Sequence, residues 1–260
     1  MTVVINLPEY GFDPTEATVP WSFLKHANMA VQFATPKGLV AKADDRMIKQ
    51  GLGLLSPLLM TRKSVIDLYE EMIQSKEFLN PLPYEQIDTF AISAAVFPGG
   101  HGEGIKSMLE SSILQKKIVE CFKLNKVIGA LCTGVLVVAR SINPETGKSV
   151  LFDKNTTAIT AWMEQLSWRI TYPWYKNYFR IYPVSAQKEI EQLLQSPKQF
   201  HIGKWNYFPM QYTSHFYSQQ FVVIDGNYIS GRWPGDCYKF GCELVSMVKR
   251  QEEIQSRESL

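Results

Sequence analysis

Short apolar runs alternate with stretches of helical period through the first half of the chain. Residues 3–7 (VVINL) form an apolar run that stops at Pro8, as a buried strand does. A turn-rich stretch follows at 9–14. Residues 15–28 then carry Ala17, Trp21 and Leu24 at helical spacing, and Pro20 predicts that the regular helix begins near Val19. A second buried strand is predicted at 29–34, closed by Thr35-Pro36-Lys37-Gly38. Within 44–79 a helix is predicted at 64–73, where Val65, Leu68, Tyr69 and Met72 share a face. Residues 91–97 read as a strand running into Pro98-Gly99-Gly100-His101-Gly102. One amphipathic helix is predicted over 106–124, a strand over 127–131 and a helix over 134–141. This alternation predicts a mainly parallel sheet with helices on both faces.

The pattern then changes. Trp, Tyr and Phe together number 32 in the chain, and 15 of them fall between Trp162 and Tyr217. Trp and Tyr bring large buried area, so this stretch reads as a cap inserted at about 162–217. It packs on the sheet edge, or walls a narrow apolar pocket, or both. A membrane-surface or dimer patch is a weaker reading, because Glu164, Arg169, Lys176 and Arg180 are spread through it. Beyond it, Asp225-Gly226-Asn227 between two apolar runs predicts a hairpin. A last helix is predicted over 236–249, followed by a polar, frayed tail at 251–260. The whole of 1–260 is expected to be one domain.

Composition narrows the class. At 260 residues, 45% hydrophobic and 20% charged, the chain can bury a core without staples. Lys plus Arg is 27 and Asp plus Glu is 25, so no basic excess marks a nucleic-acid binder. Four cysteines without a CxxC, and four scattered histidines, give neither a disulfide framework nor metal-ligand spacing. No metal or cofactor is expected. The first residues lack the pattern of a signal peptide, and the longest apolar-looking run, 127–139, is too short to span a membrane. The expectation is a soluble cytoplasmic protein.

Candidate chemistry centres on Cys132, in Val127-Ile-Gly-Ala-Leu-Cys-Thr-Gly-Val135. The residue falls where a strand turns sharply into a helix, as in nucleophile elbows. Free N–H groups at a helix start stabilise a thiolate. A thiol of pKa ~8.5 is about 3% ionised at neutral pH, and a shift of ~2 units, roughly 2.7 kcal/mol, would make it mostly thiolate. The plainer reading is a small buried hydrophobe. In Phe97-Pro-Gly-Gly-His-Gly102, glycine lets backbone N–H groups reach a ligand, so Gly99 and Gly100, with Thr133, are candidate oxyanion or substrate-binding positions. His101 is a candidate acid or base, or a solvated turn residue. Glu16 is a candidate carboxyl beside the thiol, or a first-turn acid answering the helix dipole.

Taken together, Glu16 after the first strand, Phe97-Pro-Gly-Gly-His-Gly102, Ala130-Leu-Cys-Thr-Gly134 and Val223-Ile-Asp-Gly-Asn-Tyr-Ile-Ser-Gly231 resemble the ThiJ/PfpI (DJ-one) superfamily. The motifs fall in that family's order across nearly the whole chain. The resemblance implies a flavodoxin-like three-layer α/β/α sandwich of the class I glutamine amidotransferase type. It also implies a reactive elbow cysteine at Cys132 with Glu16 as its carboxyl neighbour, a small-molecule substrate and a homodimer.

The sequence also departs from the family pattern. Thr133 stands where the glyoxalase and chaperone-like branch has His, and no His lies near 160–162. A Thr after the cysteine resembles the isonitrile hydratase branch, which has Asp where this chain has Glu16. His201 or His215, in the aromatic stretch, are candidates for a base folded over the site; His26 has no special context. The leading expectation is a cysteine-dependent hydrolase or lyase-like enzyme acting on a small carbonyl, amide or related electrophile through Cys132, with Glu16 tuning the thiol and shuttling a proton. Two rivals stay open: a redox or stress-response protein in which Cys132 is oxidised, and a holding chaperone using the aromatic stretch. Cys121, Cys237 and Cys242 read as structural.

Overall fold

The computed structural model describes residues 1–52, 56, 60–204 and 218–258. Seven strands form one sheet in the order β10-β11-β7-β6-β1-β3-β5. They are β1 (Thr2–Asn6), β3 (Ala30–Thr35), β5 (Leu82–Pro83), β6 (Ala94–Phe97), β7 (Val127–Leu131), β10 (Val222–Asp225) and β11 (Tyr228–Gly231). Only β10 against β11 is antiparallel, and the other pairs are parallel. Two small pairs lie outside: β2 (Tyr10–Phe12) with β4 (Lys42–Ala43), and β8 (Ile142–Asn143) with β9 (Lys148–Ser149).

Alternation along each strand sorts the core into two layers. Val3, Ile5, Phe33, Val96, Leu131 and Ile229 meet α1 (Pro14–His26), α2 (Lys63–Gln74) and α9 (Cys237–Glu258). Val4, Ala34, Ala95, Phe97, Ile128 and Tyr228 face the other way. There they meet α4 (Lys106–Leu109), α5 (Ser112–Lys123), α6 (Val135–Ala139), α7 (Ala161–Tyr175) and α8 (Ala186–Leu193). The remaining short helix, α3 (Lys76–Leu79), brings Phe78 against Phe33. Each fully buried Ile, Leu, Val or Phe contributes about 1.5–3 kcal/mol, so both layers carry the fold. This is the mixed α/β sandwich with a mainly parallel sheet that the alternation predicts.

Three boundaries differ from the sequence reading. The first helix starts at Pro14, not near Val19, because Asp13 caps it, accepting from the Thr15 and Glu16 N–H groups at 2.8 and 3.1 Å. The single helix expected over 106–124 is two, since Ser111 leaves the helical region and caps α5 through Leu114 N–H. The final helix continues through 251–258 instead of fraying, with Gln251 donating to Asn125 O and Glu252 paired with the N-terminus. The aromatic stretch packs on the main core through Met163, Ala186, Ile190 and Phe200. Its residues 205–217, His215 included, lie outside the described residues.

Candidate active site

Three loops meet at the carboxyl edge of β1, β6 and β7, where the strand order reverses and ligands bind in open parallel sheets. The first two are stapled together. Phe12 bridges Gly100, Asp13 N–H donates to Gly99 O at 2.9 Å, and His101 N–H donates to Gly11 O at 3.2 Å. These bonds set Glu16, one turn into α1, against the Gly99 backbone. Its Oε2 accepts the Gly99 N–H at 2.7 Å, deep in the protein.

Cys132 follows β7 directly and opens a 3-10 turn, Cys132–Gly134, that leads into α6. Its φ is +53°, in the left-handed region that non-glycine residues rarely occupy. Such strain persists only where the surroundings enforce it, and nucleophile elbows are one such place. The enforcement is visible at Gly134, where an added Cβ would lie 2.2 Å from Phe97 O. At Gly99 a Cβ would come within 2.8 Å of Glu16 Oε2 and Thr133 Oγ1, and 2.9 Å of Cys132 Cβ. Only a bare backbone at 99 lets the three groups converge.

Burial dominates the ionisation of this cluster. The Cys132 thiol is pushed well above its ordinary value, first by desolvation, then by the Glu16 and Asp13 carboxyls; the Thr133 N–H pulls it back in part. Glu16 is likewise raised well above the carboxylate range, by burial and then by the charge of Asp13. Glu16 and Cys132 converge on Gly99 and both are raised, so the resting pair is a neutral acid beside a neutral thiol. Desolvation therefore outweighs the helix-start effect read from the sequence.

The other expected residues gather here too, but in different roles. Thr133 Oγ1 accepts from Gly100 N–H at 3.0 Å and donates to Gly100 O at 3.1 Å. Gly99 donates to Glu16 and Gly100 to Thr133, so neither amide is free for an oxyanion in this form. His101 forms no hydrogen bond with Cys132; its ring stacks on Tyr178 at 5.6 Å and meets Phe179 edge-on at 4.8 Å. His201 is not a base folded over the cysteine, because its Nε2 sits 2.8 Å from Asn155 Oδ1, and its N–H donates to Thr156 O. His26 stays on α1, bonded to Ser22 O.

A narrow cavity of about 10 Å³, the scale of one water, adjoins the elbow. Gly100, His101, Thr133 and Leu136 form its floor, and Glu164, Tyr178, Phe179 and Tyr182 from the aromatic stretch form its roof. Glu164 is a site residue the sequence reading passed over as a scattered charge. It is buried, accepts the Ala186 N–H at 3.0 Å, and has its pKa raised to about 7 by desolvation. Asp13 was passed over as well, although Asp before Pro at a helix start is a legible cap signal. Among the described residues no group of His, Cys, Asp and Glu could hold a metal, and no helix is long and apolar enough to cross a membrane.

A parallel α/β sandwich with a strained cysteine elbow at its carboxyl edge defines the class. The chain belongs to the ThiJ/PfpI family-like group, whose family model matches residues 7–204. An uncharacterized protein of Schizosaccharomyces pombe is 31% identical over 149 residues, 54% of this chain and 55% of that protein. The chain thus spans about half the length of the curated relative it matches. Among solved structures, glyoxalase III from Candida albicans aligns with TM-score 0.67 at 15% identity, over 95% of this chain and 97% of that one. Schizosaccharomyces pombe DJ-1 aligns with TM-score 0.52 at 20% identity, over 95% and 92%. At those identities the likeness is one of fold.

Proposed function

We propose that this protein is a cysteine-dependent enzyme of the hydrolase or lyase type, acting on a small carbonyl, amide or related electrophile through Cys132. The observation that carries this reading is the left-handed φ of Cys132, set beside a buried Glu16 and next to Thr133, which lines a small cavity. In the reaction, the sulfur forms a bond to the electrophilic carbon while the π pair of its C=O moves onto oxygen. The thiol proton ends on that oxygen, and Glu164, which lines the adjoining cavity with Thr133, is the proposed relay. Neutral Glu16 donates a hydrogen bond to the sulfur as charge builds on it. Thr133 orients substrate or water. Gly99 and Gly100 take up the oxyanion once substrate displaces their present acceptors. Turnover of methylglyoxal, simple amides and isonitriles, assayed in turn, tests the reading; a chain inert towards all three classes contradicts it.

Glu164 gives the reaction a pH signature. Its carboxylate forms as pH rises through about 7, so turnover should climb across that interval and level off above it. Glu164→Gln keeps the bond from Ala186 N–H through the amide oxygen. It should lose the rising limb and about 10²-fold of the plateau rate. Stability follows the opposite sign. The carboxyl is held protonated in the fold, so its contribution is full below the ordinary carboxylate pKa and is lost as pH rises through about 7. Urea midpoints at pH 5 and pH 8 should differ less in Glu164→Gln than in wild type.

The protein is also proposed to pair as a homodimer. On α7, Trp162, Leu166, Ile170 and Trp174 recur every four residues and are all exposed, an apolar stripe of the kind that marks interaction surfaces. Light scattering should give twice the chain mass, and Trp162→Glu with Ile170→Glu should halve it; a monomer at all concentrations contradicts the pairing.

A further inference from the structure

A second, larger space lies on the outer side of His101 and Tyr178. It is a cleft of about 380 Å³ lined by Tyr10, Asp44, Arg46, His101, Tyr175 and Tyr178, among others. His101 and Tyr178 also line the cavity at the cysteine elbow, so two aromatic rings form the wall between the spaces. The cavity is on the scale of one water, and the His101–Tyr178 wall separates it from the larger cleft.

Arg46 is the unusual residue of this cleft. Its guanidinium packs against two tyrosine rings, 5.0 Å from Tyr175 and 4.7 Å from Tyr178. Among the described residues it has no ion pair and its guanidinium donates no hydrogen bond. The two acids that line the cleft with it each have another partner. Asp44 accepts from the Arg46 backbone N–H at 3.0 Å and from the Tyr178 hydroxyl, and Glu103 pairs with Lys106 at 2.5 Å. A guanidinium packed against two rings is restricted in orientation, and its edge matches the two oxygens of a carboxylate.

We infer that the outer cleft binds the carboxylate of a small organic acid on Arg46, with the rest of the molecule directed at the His101–Tyr178 wall and Cys132 behind it. This rests on the reading of Cys132 as nucleophile, and it narrows the substrate to an electrophile carrying a carboxylate. Asp44 and Glu103 also line the cleft, and their charge disfavours a phosphate dianion more than a monoanion.

The test uses the full chain with butyrate, butyramide and inorganic phosphate as probes, followed by ligand-observed NMR. Butyrate should bind saturably and at least about tenfold tighter than butyramide, as expected for a charge-assisted pair. Arg46→Met, which keeps apolar volume between the tyrosines, should erase that preference without changing butyramide binding. Bound butyrate should slow alkylation of Cys132 by iodoacetamide in wild type but not in Arg46→Met. Equal binding of acid and amide, or a preference that survives Arg46→Met, overturns the site; tighter binding of phosphate overturns its assignment to carboxylates. Butyrate binding that leaves Cys132 alkylation unchanged overturns its connection to the elbow. Cys132→Ala should still bind butyrate, so loss of turnover in that variant and loss of this site are distinguishable.

Discussion

Cys132→Ala should abolish turnover of whichever electrophile the wild type converts, by at least about 10³-fold, because the proposed reaction forms its bond to carbon through that sulfur. The fold should survive. Only the sulfur is removed, from a residue packed between the β6 and β7 loops, and Ala at φ +53° carries the same backbone strain as Cys. Cys132→Gly relieves that strain and should be more stable than Cys132→Ala by about 1 kcal/mol in urea unfolding, while being equally inactive. Activity retained in either variant removes Cys132 from the mechanism. A Gly variant no more stable than the Ala variant would mean that the elbow is not strained.

Asp236→Ala should cost about 3–5 kcal/mol and lower the thermal midpoint by roughly 10 °C, the largest stability loss foreseen for a single change. Asp236 and Arg232 are both buried, with Arg232 Nε to Asp236 Oδ2 at 2.8 Å and Nη2 to Oδ1 at 2.9 Å. Asp236 also takes the Phe221 N–H at 2.8 Å, and Arg232 Nη1 reaches Lys204 O at 3.0 Å. The pair therefore ties residue 204 and residue 221 to the start of α9. Removing the acid takes the carboxylate away from a buried guanidinium. Replacing both, as in Arg232→Met with Asp236→Leu, should cost less than the single change, because no charge is then stranded. A single-variant loss under 1 kcal/mol would contradict this role.

Much of the fold was legible because it rests on local pattern. The apolar runs ending at Pro8, Pro98 and Cys132, and the Asp225-Gly226 turn, each specify their element within a few residues. What was missed depends on caps and on distant partners. Asp13 and Ser111 move helix boundaries by single hydrogen bonds. Glu164 becomes a buried acid only because α8 packs against α7, and Arg46 faces Tyr175 and Tyr178 from more than a hundred residues away. The cysteine, Glu16 and the glycine loop could be named in advance, since their motifs fall at strand ends. Their ionisation could not, because it is set by burial. Burial also bears on the redox alternative: oxidation-sensing cysteines are exposed thiolates, whereas Cys132 is buried and held protonated.

The most direct test of the account is the rate of iodoacetamide alkylation at each cysteine, followed by peptide mass spectrometry from pH 6 to pH 9. Cys121, its pKa pushed up to about 12, and Cys237, raised well above its ordinary value, are buried references; half-buried Cys242 is the accessible one. A nucleophile reached through the cavity should make Cys132 react faster than Cys121 and Cys237 throughout. Its rate should still be rising at pH 9, since the fold keeps the thiol protonated. A Cys132 no faster than those two would mean that the elbow thiol is sealed, and would contradict its assignment as the nucleophile.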